Sequence, residues 1–170
     1  MRQIPILSDL ELAILGLLRE EPRSGYALRK VFATGPIGDS PGSVYPALRR
    51  LASGGLIAAA ADTTSGRGKE TFHLTAAGKR SLREVLSQRF TIAEVKRNAD
   101  AVIFRLPFIE AELGRAAASS FLADYASACA AVASELKRDR SAVAEHGAAV
   151  FAARARWATK AAAAITGRHG

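Results

Sequence analysis

The stretch that most constrains this chain is Asp39–Ile57, because breaker residues bound a short amphipathic segment on both sides. Ser40-Pro41-Gly42 precedes the segment and Gly54-Gly55 follows it. Pro near a helix start and Gly just past a helix end are the usual positions of these two residues. The pattern predicts a helix that begins within a residue or two of Gly42 and ends near Ser53.

The two faces of this predicted helix differ in chemistry. On a helical wheel, one face is apolar and consists of Val44, Ala47, Leu48 and Leu51. The other face has no acidic residue and consists of Gly42, Ser43, Tyr45, Pro46, Arg49, Arg50 and Ser53. Arg guanidinium groups match guanine edges or phosphate, and hydroxyls suit phosphate oxygens. The segment therefore suits the major groove of DNA, although a solvated surface helix shows the same apolar face.

The residues before this segment predict two further helices. Ser8 with Glu11 three residues later forms a capping-box pattern at the start of a helix over residues 8–20. Ser24 is placed to cap a short second helix that runs to about Phe32. A helix, a turn, a short helix and then the central helix is the order of a helix-turn-helix module.

After Gly55 the apolar period changes from helical to alternating. Leu56–Ala61 and Glu70–Leu74 predict two strands, and the polar loop between them carries Arg67, Gly68 and Lys69. A two-stranded hairpin after a helix-turn-helix is a wing, whose cations can meet phosphate or a minor groove. A flexible surface hairpin is the alternative. Thr75 is expected to cap the next helix, from Ala76 to about Phe90.

The C-terminal half predicts long Ala-rich helices over residues 110–138 and about 142–165, after a mixed junction at 91–109. Such helices have few large side chains for a core of their own, and small residues allow close helix approach. We therefore expect residues 110–170 to form a homodimer across a two-fold axis. An intramolecular hairpin resting on residues 1–90 is the alternative. The residues expected in the dimer are Leu113, Phe121, Tyr125, Val132, Leu136 and Phe151.

Charge and composition limit the class of function. The net charge is +8 and the pI is near 10.2, which favours a polyanionic partner. The single cysteine, Cys129, fits a reducing cytoplasm. The three histidines are scattered, so we expect no metal, cofactor or catalytic site. The apolar run Leu12–Leu18 is too short to span a membrane.

With the wing in place, residues 8–83 resemble the PadR family of bacterial transcriptional regulators. The similarity is carried by six blocks: Ile14-Leu15-Gly16-Leu17-Leu18, Ser24-Gly25-Tyr26-Ala27-Leu28, Ser43-Val44-Tyr45-Pro46-Ala47-Leu48-Arg49-Arg50-Leu51, Gly54-Gly55-Leu56-Ile57, Gly66-Arg67-Gly68-Lys69 and Leu74-Thr75-Ala76-Ala77-Gly78. The resemblance implies a winged helix-turn-helix repressor that dimerises through its C-terminal helices. It also implies release from DNA by a small phenolic or hydrophobic compound, as in many members.

The sequence thus predicts a mainly α fold with a small two-stranded β wing, and a cytoplasmic, sequence-specific regulator that binds a two-fold operator in double-stranded DNA. The candidate DNA-binding residues are Ser24, Tyr26, Ser43, Tyr45, Pro46, Arg49, Arg50, Arg67, Gly68 and Lys69. Phe121, Tyr125 and Trp157 are candidates for binding a small aromatic or hydrophobic effector. The alternative function is a winged-helix interaction module that binds an acidic protein partner.

Overall fold

The structure is a computed structural model that describes residues 7–33, 42–62 and 69–167, without the side chains of residues 61, 62 and 69. It is mainly helical with a small antiparallel sheet, as the sequence predicts. The chain forms two compact units, residues 1–88 and residues 89–170.

The first unit contains four helices and three strands among its described residues. They are α1 (Asp9–Glu20), β1 (Arg23–Ser24), α2 (Gly25–Phe32), α3 (Val44–Ser53), β2 (Ile57–Asp62), β3 (Lys69–Leu74) and α4 (Ala76–Leu86). The capping box of Ser8 and Glu11 is present at the start of α1, as predicted. The helix-turn-helix and the strand pair are therefore confirmed in the described residues.

The sheet has three strands rather than the predicted two. Its order is β1-β3-β2, with Ile57 opposite Leu74 in one ladder and Arg23 opposite Phe72 in the other. The two residues of β1 are too few to show an alternating pattern in sequence. They pair because Ser24, the N-cap of α2, has an extended backbone.

The core of the first unit is formed by one face of every helix together with the inner face of the sheet. Its larger buried side chains are Leu10, Ile14, Leu15, Leu28, Phe32, Val44, Leu48, Leu51, Ile57, Phe72, Leu74, Leu82 and Leu86. Helix α1 is buried on most sides because α3, α4 and β3 all pack against it. This surrounding explains why the sequence of α1 is an almost continuous apolar run.

A single carbonyl joins the end of α3 to the start of α4. Gly55 has a φ of +68° and passes the chain to Leu56, whose amide donates to the Leu51 carbonyl at 2.9 Å. The Leu56 carbonyl then accepts from the Thr75 amide at 3.1 Å, and the Thr75 hydroxyl shares its one proton between the carbonyls of Gly55 at 2.7 Å and Leu56 at 3.0 Å. A Cβ atom on Gly78 would lie 2.0 Å from the Leu56 oxygen, so α4 approaches this closely only with glycine there.

The second unit is formed by four helices in the described residues: α5 (Ile92–Ile103), α6 (Leu106–Leu113), α7 (Arg115–Leu136) and α8 (Ala142–Thr166). Helices α7 and α8 form an antiparallel hairpin, since Arg115 at the start of α7 donates to the Ile165 carbonyl near the end of α8. Residues of α5, α7 and α8 share one apolar cluster that includes Val95, Leu122 and Ala158.

Two predicted helix ends differ from the structure, and the predicted junction contains helices. The supposed junction at 91–109 is helical, and its residues belong to the second unit. The predicted helix 110–138 is interrupted at Gly114, whose φ of +88° is a left-handed conformation that ends a helix. Helix α4 ends at Leu86, and Phe90 instead packs edge-on against Phe121 in the second unit, with ring centroids 5.2 Å apart.

Helix α7 buries a broad side rather than one narrow stripe. Ala118, Leu122, Tyr125, Cys129 and Val132 are buried, whereas Phe121 is half-buried. The buried arc is broad because α5, α6 and α8 all cover it. By length and composition α7 could cross a membrane, but part of that apolar stretch is buried under these neighbours, so we interpret α7 as a core helix.

Gly78→Ala should destabilise the protein by about 1–3 kcal/mol, the usual cost of overpacking, because the new methyl group would meet the Leu56 oxygen. Urea unfolding of the full chain measures this. Gly54→Ala is the matched control, since a Cβ there lies 3.4 Å from the nearest atom and the backbone is already right-handed. Equal stability of the two variants would contradict the assigned contact.

Candidate nucleic-acid interface

Helix α3 buries one side and exposes the other, as the wheel predicts. Val44, Ala47, Leu48 and Leu51 are buried in the core. On the outer side, Tyr45 is 44% exposed and both Arg49 and Arg50 are exposed. Arg49 has no ion pair among the described residues. The outer side of α3 therefore presents cations and one phenol from a fixed helix.

Helix α2 carries further basic residues at the surface of the first unit. The Ser24 hydroxyl accepts from the Ala27 amide at 3.2 Å, so this residue acts as the helix cap. Tyr26 is 64% exposed, and the Arg29 guanidinium lies 5.8 Å from the centre of its ring. Arg29 and Lys30 were not predicted as site residues. Their signal was present, as two adjacent cations in the last turn of a helix without acids.

The N-terminus of α2 and the first turn of α3 are in direct contact. A Cβ atom on Gly25 would lie 2.8 Å from Cε1 of Tyr45, so the absent side chain leaves room for the phenol ring. This contact brings the exposed Tyr45 beside the start of α2. We call the exposed surface of these two helices the basic face, and its residues are Tyr26, Arg29, Lys30, Tyr45, Arg49 and Arg50.

An ion pair beneath the basic face was not predicted from sequence. Arg50 donates through Nε to Oε1 of Glu11 at 2.7 Å, across 39 positions of sequence. Glu11 is 7% exposed and is the only buried charged residue among those that the structure describes. Burial by itself would raise the pKa of its carboxyl, but hydrogen bonds from the Ser8 amide and Arg50 outweigh it and hold the pKa below its usual value. Glu11 is therefore ionised near neutral pH.

The other predicted DNA-binding residues have different positions. Ser43 precedes α3 and makes no side-chain cap bond there, while Pro46 lies half-buried in the first turn. Arg67 and Gly68 lie outside the described residues. Lys69 begins β3, but its side chain is also outside the description.

Two residues predicted for the dimer surface lie inside the second unit instead. Tyr125 and Val132 are buried, and the Tyr125 hydroxyl donates to the Ala99 carbonyl at 3.2 Å. Burial raises the pKa of the Tyr125 phenol, with a smaller contribution from Cys129. These side chains are buried within the chain, and their place in a dimer stays a prediction. The other predicted residues, Leu113, Phe121, Leu136 and Phe151, are half-buried.

The three predicted ligand residues do not form one group. Phe121 packs beside Tyr125 in the apolar cluster of the second unit. Trp157 is 50% exposed on α8 and is not part of that cluster. The structure therefore separates Trp157 from the other two aromatic residues.

Comparison with known proteins adds to this geometry. Residues 14–84 match the sequence profile of the transcriptional regulator PadR-like family. We call the N-terminal unit the PadR-like domain because of this similarity. The matched residues run from α1 to α4, so the PadR-like domain includes both helices of the basic face and the strand pair. No curated protein matches the sequence.

Several solved structures are similar to the whole chain. PadR of Bacillus subtilis in complex with operator DNA is 24% identical, with 95% of this chain and 99% of that chain covered and a TM-score of 0.48. The same protein in complex with p-coumaric acid is 24% identical, with coverages of 93% and 96% and a TM-score of 0.45. A PadR-like regulator from Bacillus cereus is 17% identical, with coverages of 90% and 93% and a TM-score of 0.43. The similarity to the PadR-like family is carried by the sequence profile over residues 14–84.

The stability of the protein should depend on pH through Glu11. A carboxyl whose folded pKa is lowered stabilises the fold above its unfolded pKa, near 4.5, and loses that contribution as the pH falls through the folded value. Wild type should exceed Glu11→Gln by about 1–3 kcal/mol at neutral pH, with the difference shrinking at acidic pH. Urea unfolding at a series of pH values measures it.

Glu84→Gln is the control, since it removes an exposed carboxylate from α4 of the same unit. Its stability should stay within about 0.5 kcal/mol of wild type throughout. A difference between wild type and Glu11→Gln that does not change with pH would show that the Glu11 charge is not responsible.

Proposed function

We propose that this protein is a homodimeric, sequence-specific DNA-binding repressor of transcription in the cytoplasm, with no enzymatic activity. The observation that carries the proposal is the basic face of the PadR-like domain. Its inner side is buried, which fixes the orientation of α3, and its outer side offers Arg and Tyr without a competing exposed acid on the helix. Such a helix can enter the major groove and read base edges.

The charge of the domain supports the same function. Residues 1–90 contain 13 Lys and Arg against 8 Asp and Glu. Phosphate contacts from such a surface release counterions, so the affinity should fall steeply with salt. The wing would add Arg67 and Lys69 as further phosphate or minor-groove contacts, as the resemblance to the PadR family implies.

The proposed dimer uses the outer side of α8. Val143 is 82% exposed, Trp157 is 50% exposed, and Val150 lies between them and is partly exposed. These residues are seven positions apart, so they project from nearly the same side of the helix. Exposed large apolar side chains in a row favour contact with another protein surface. In a dimer this side of α8 would pair with a second copy.

We further propose that a small aromatic or hydrophobic compound releases the protein from DNA. The residues that support an effector site are the half-buried rings of Phe121 and Phe151, which pack against the apolar cluster of the second unit. Flat apolar ligands favour sites lined by aromatic and small side chains.

The rival function, an interaction module for an acidic protein, uses the same basic face. Selection of bound sequences from random duplex DNA separates the two functions. A regulator should enrich a two-fold motif and bind it about 10³–10⁷ times more tightly than random duplex. A protein-interaction module should enrich no motif, whatever its non-specific affinity for DNA.

Arg49→Ala should weaken binding to the selected duplex by about 1–3 kcal/mol if Arg49 contacts a base, with discrimination lost at one position. If Arg49 contacts phosphate only, binding should weaken to a similar extent on every sequence. Fluorescence anisotropy titrations on a set of single-base variants distinguish these results.

Arg80→Ala is the matched control for Arg49→Ala, because it removes the same charge from an exposed position on α4. A loss that is equal in the two variants would indicate a general charge effect. Unchanged affinity in folded Arg49→Ala would exclude Arg49 from the interface.

Trp157→Lys should convert the dimer to a monomer, because it places a charge in the middle of the proposed contact. Affinity for a two-fold duplex should then fall by about 10²–10⁴, the avidity gained by linking two binding units. Analytical ultracentrifugation and DNA titration measure the two effects.

Thr159→Lys is the control, since Thr159 is exposed on nearly the opposite side of α8. It should remain dimeric and bind DNA normally. If Trp157→Lys is also a dimer of full affinity, this side of α8 is not the interface.

A further inference from the structure

We infer that Glu11 is a positioning residue for DNA recognition, which holds the guanidinium of Arg50 in the orientation that contacts the duplex. The inference rests on the proposed function, since it assumes that the basic face binds DNA. Glu11 lies on α1 and is only 7% exposed, so its side chain is shielded from direct contact with DNA. Its effect on recognition would therefore pass through Arg50.

The Glu11 carboxylate divides its two oxygens between two tasks. Oε2 accepts from the Ser8 amide at 2.9 Å and the Ser8 hydroxyl at 3.0 Å, which completes the cap of α1. Oε1 accepts from Nε of Arg50 at 2.7 Å. The cap fixes the carboxylate in place, so the Arg50 side chain is attached to a rigid acceptor rather than to a mobile surface acid.

The attachment leaves the recognising end of Arg50 free for a ligand. A guanidinium has five N–H donors, and the Nε–H is the one used by Glu11. The four donors on Nη1 and Nη2 form the fork that matches a guanine edge or a phosphate. The Arg50 side chain is 61% exposed, whereas that of Glu11 is 10% exposed. The Glu11 end of the ion pair is thus buried, and the Arg50 end is exposed to solvent.

Positioning and simple electrostatics predict opposite effects for the loss of Glu11. A negative charge close to DNA repels phosphate, so removing it should by itself strengthen binding. If Glu11 orients Arg50, removing it should instead weaken binding to the correct sequence, because Arg50 must then be ordered on each binding event. The sign of the change therefore decides between the two roles.

Glu11→Gln is the test variant, because glutamine can keep the Ser8 cap but has only one acceptor oxygen for two tasks. The probes are a duplex that the wild-type protein selects from random-sequence DNA and a scrambled duplex of the same composition. We expect about 2- to 12-fold weaker binding to the selected duplex, the range for ordering one long side chain, and no loss on the scrambled duplex.

A double-mutant cycle with Arg50→Ala tests whether the effect passes through Arg50. Glu11→Gln should have no weakening effect in the Arg50→Ala background. Ser8→Ala is the control for the cap, since it removes the hydroxyl and leaves the Arg50 contact. It should bind both duplexes like wild type.

Tighter or unchanged binding of Glu11→Gln to the selected duplex would overturn the inference. So would an equal loss in Ser8→Ala, or additive effects of Glu11→Gln and Arg50→Ala. If Glu11→Gln does not fold, Arg50→Lys replaces it, because it keeps the charge and the cap but lacks the fork. Arg50→Lys should bind the selected duplex more weakly, and equal binding would overturn the inference. If wild type selects no duplex, the proposed function fails as well.

Discussion

The Leu56 carbonyl is the point on which the geometry of the PadR-like domain depends. It accepts a hydrogen bond from the Thr75 amide and lies against Gly78, so the end of α3, the start of β2 and the cap of α4 meet there. A buried carbonyl without partners would be costly, which makes this arrangement specific. The orientation of α3 relative to the strand pair follows from it.

The burial of one side of α3 determines which of its residues are exposed. The four apolar residues of α3 pack into the core of the first unit, so the outer residues of α3 are kept at the surface. Glu11 holds the Arg50 side chain in a similar way, because Glu11 belongs to the cap of α1 and also binds Arg50. One buried carboxylate thus joins the cap of α1 to the outer side of α3.

The second unit is stabilised differently, because its helices contain many Ala residues and few large side chains. Its core depends on aromatic residues from several segments, with Phe90 packed against Phe121 and Tyr125. Arg154 on α8 also binds both carboxylate oxygens of Asp100 on α5 at 2.9 Å. Contacts between distant segments therefore help to hold together helices that have few large side chains.

The sequence by itself determined the features that depend on neighbouring residues. The caps at Ser8, Ser24 and Thr75 act within three residues, and Gly55 permits the turn after α3 through its own conformation. The spacing of apolar and polar residues then identified the buried side of α3 and the buried face of the strands. Helix order and the exposed Arg49 and Arg50 followed from these signals.

Tertiary structure alone decided the contacts between residues far apart in sequence. The third strand, the pairing of Glu11 with Arg50 and the burial of Tyr125 all depend on which elements meet in space. In the Ala-rich helices the apolar pattern is weak, so the buried side of α7 is set by the three helices that cover it. Local interactions determine which segments form helices and strands, whereas tertiary packing determines which of these elements contact each other.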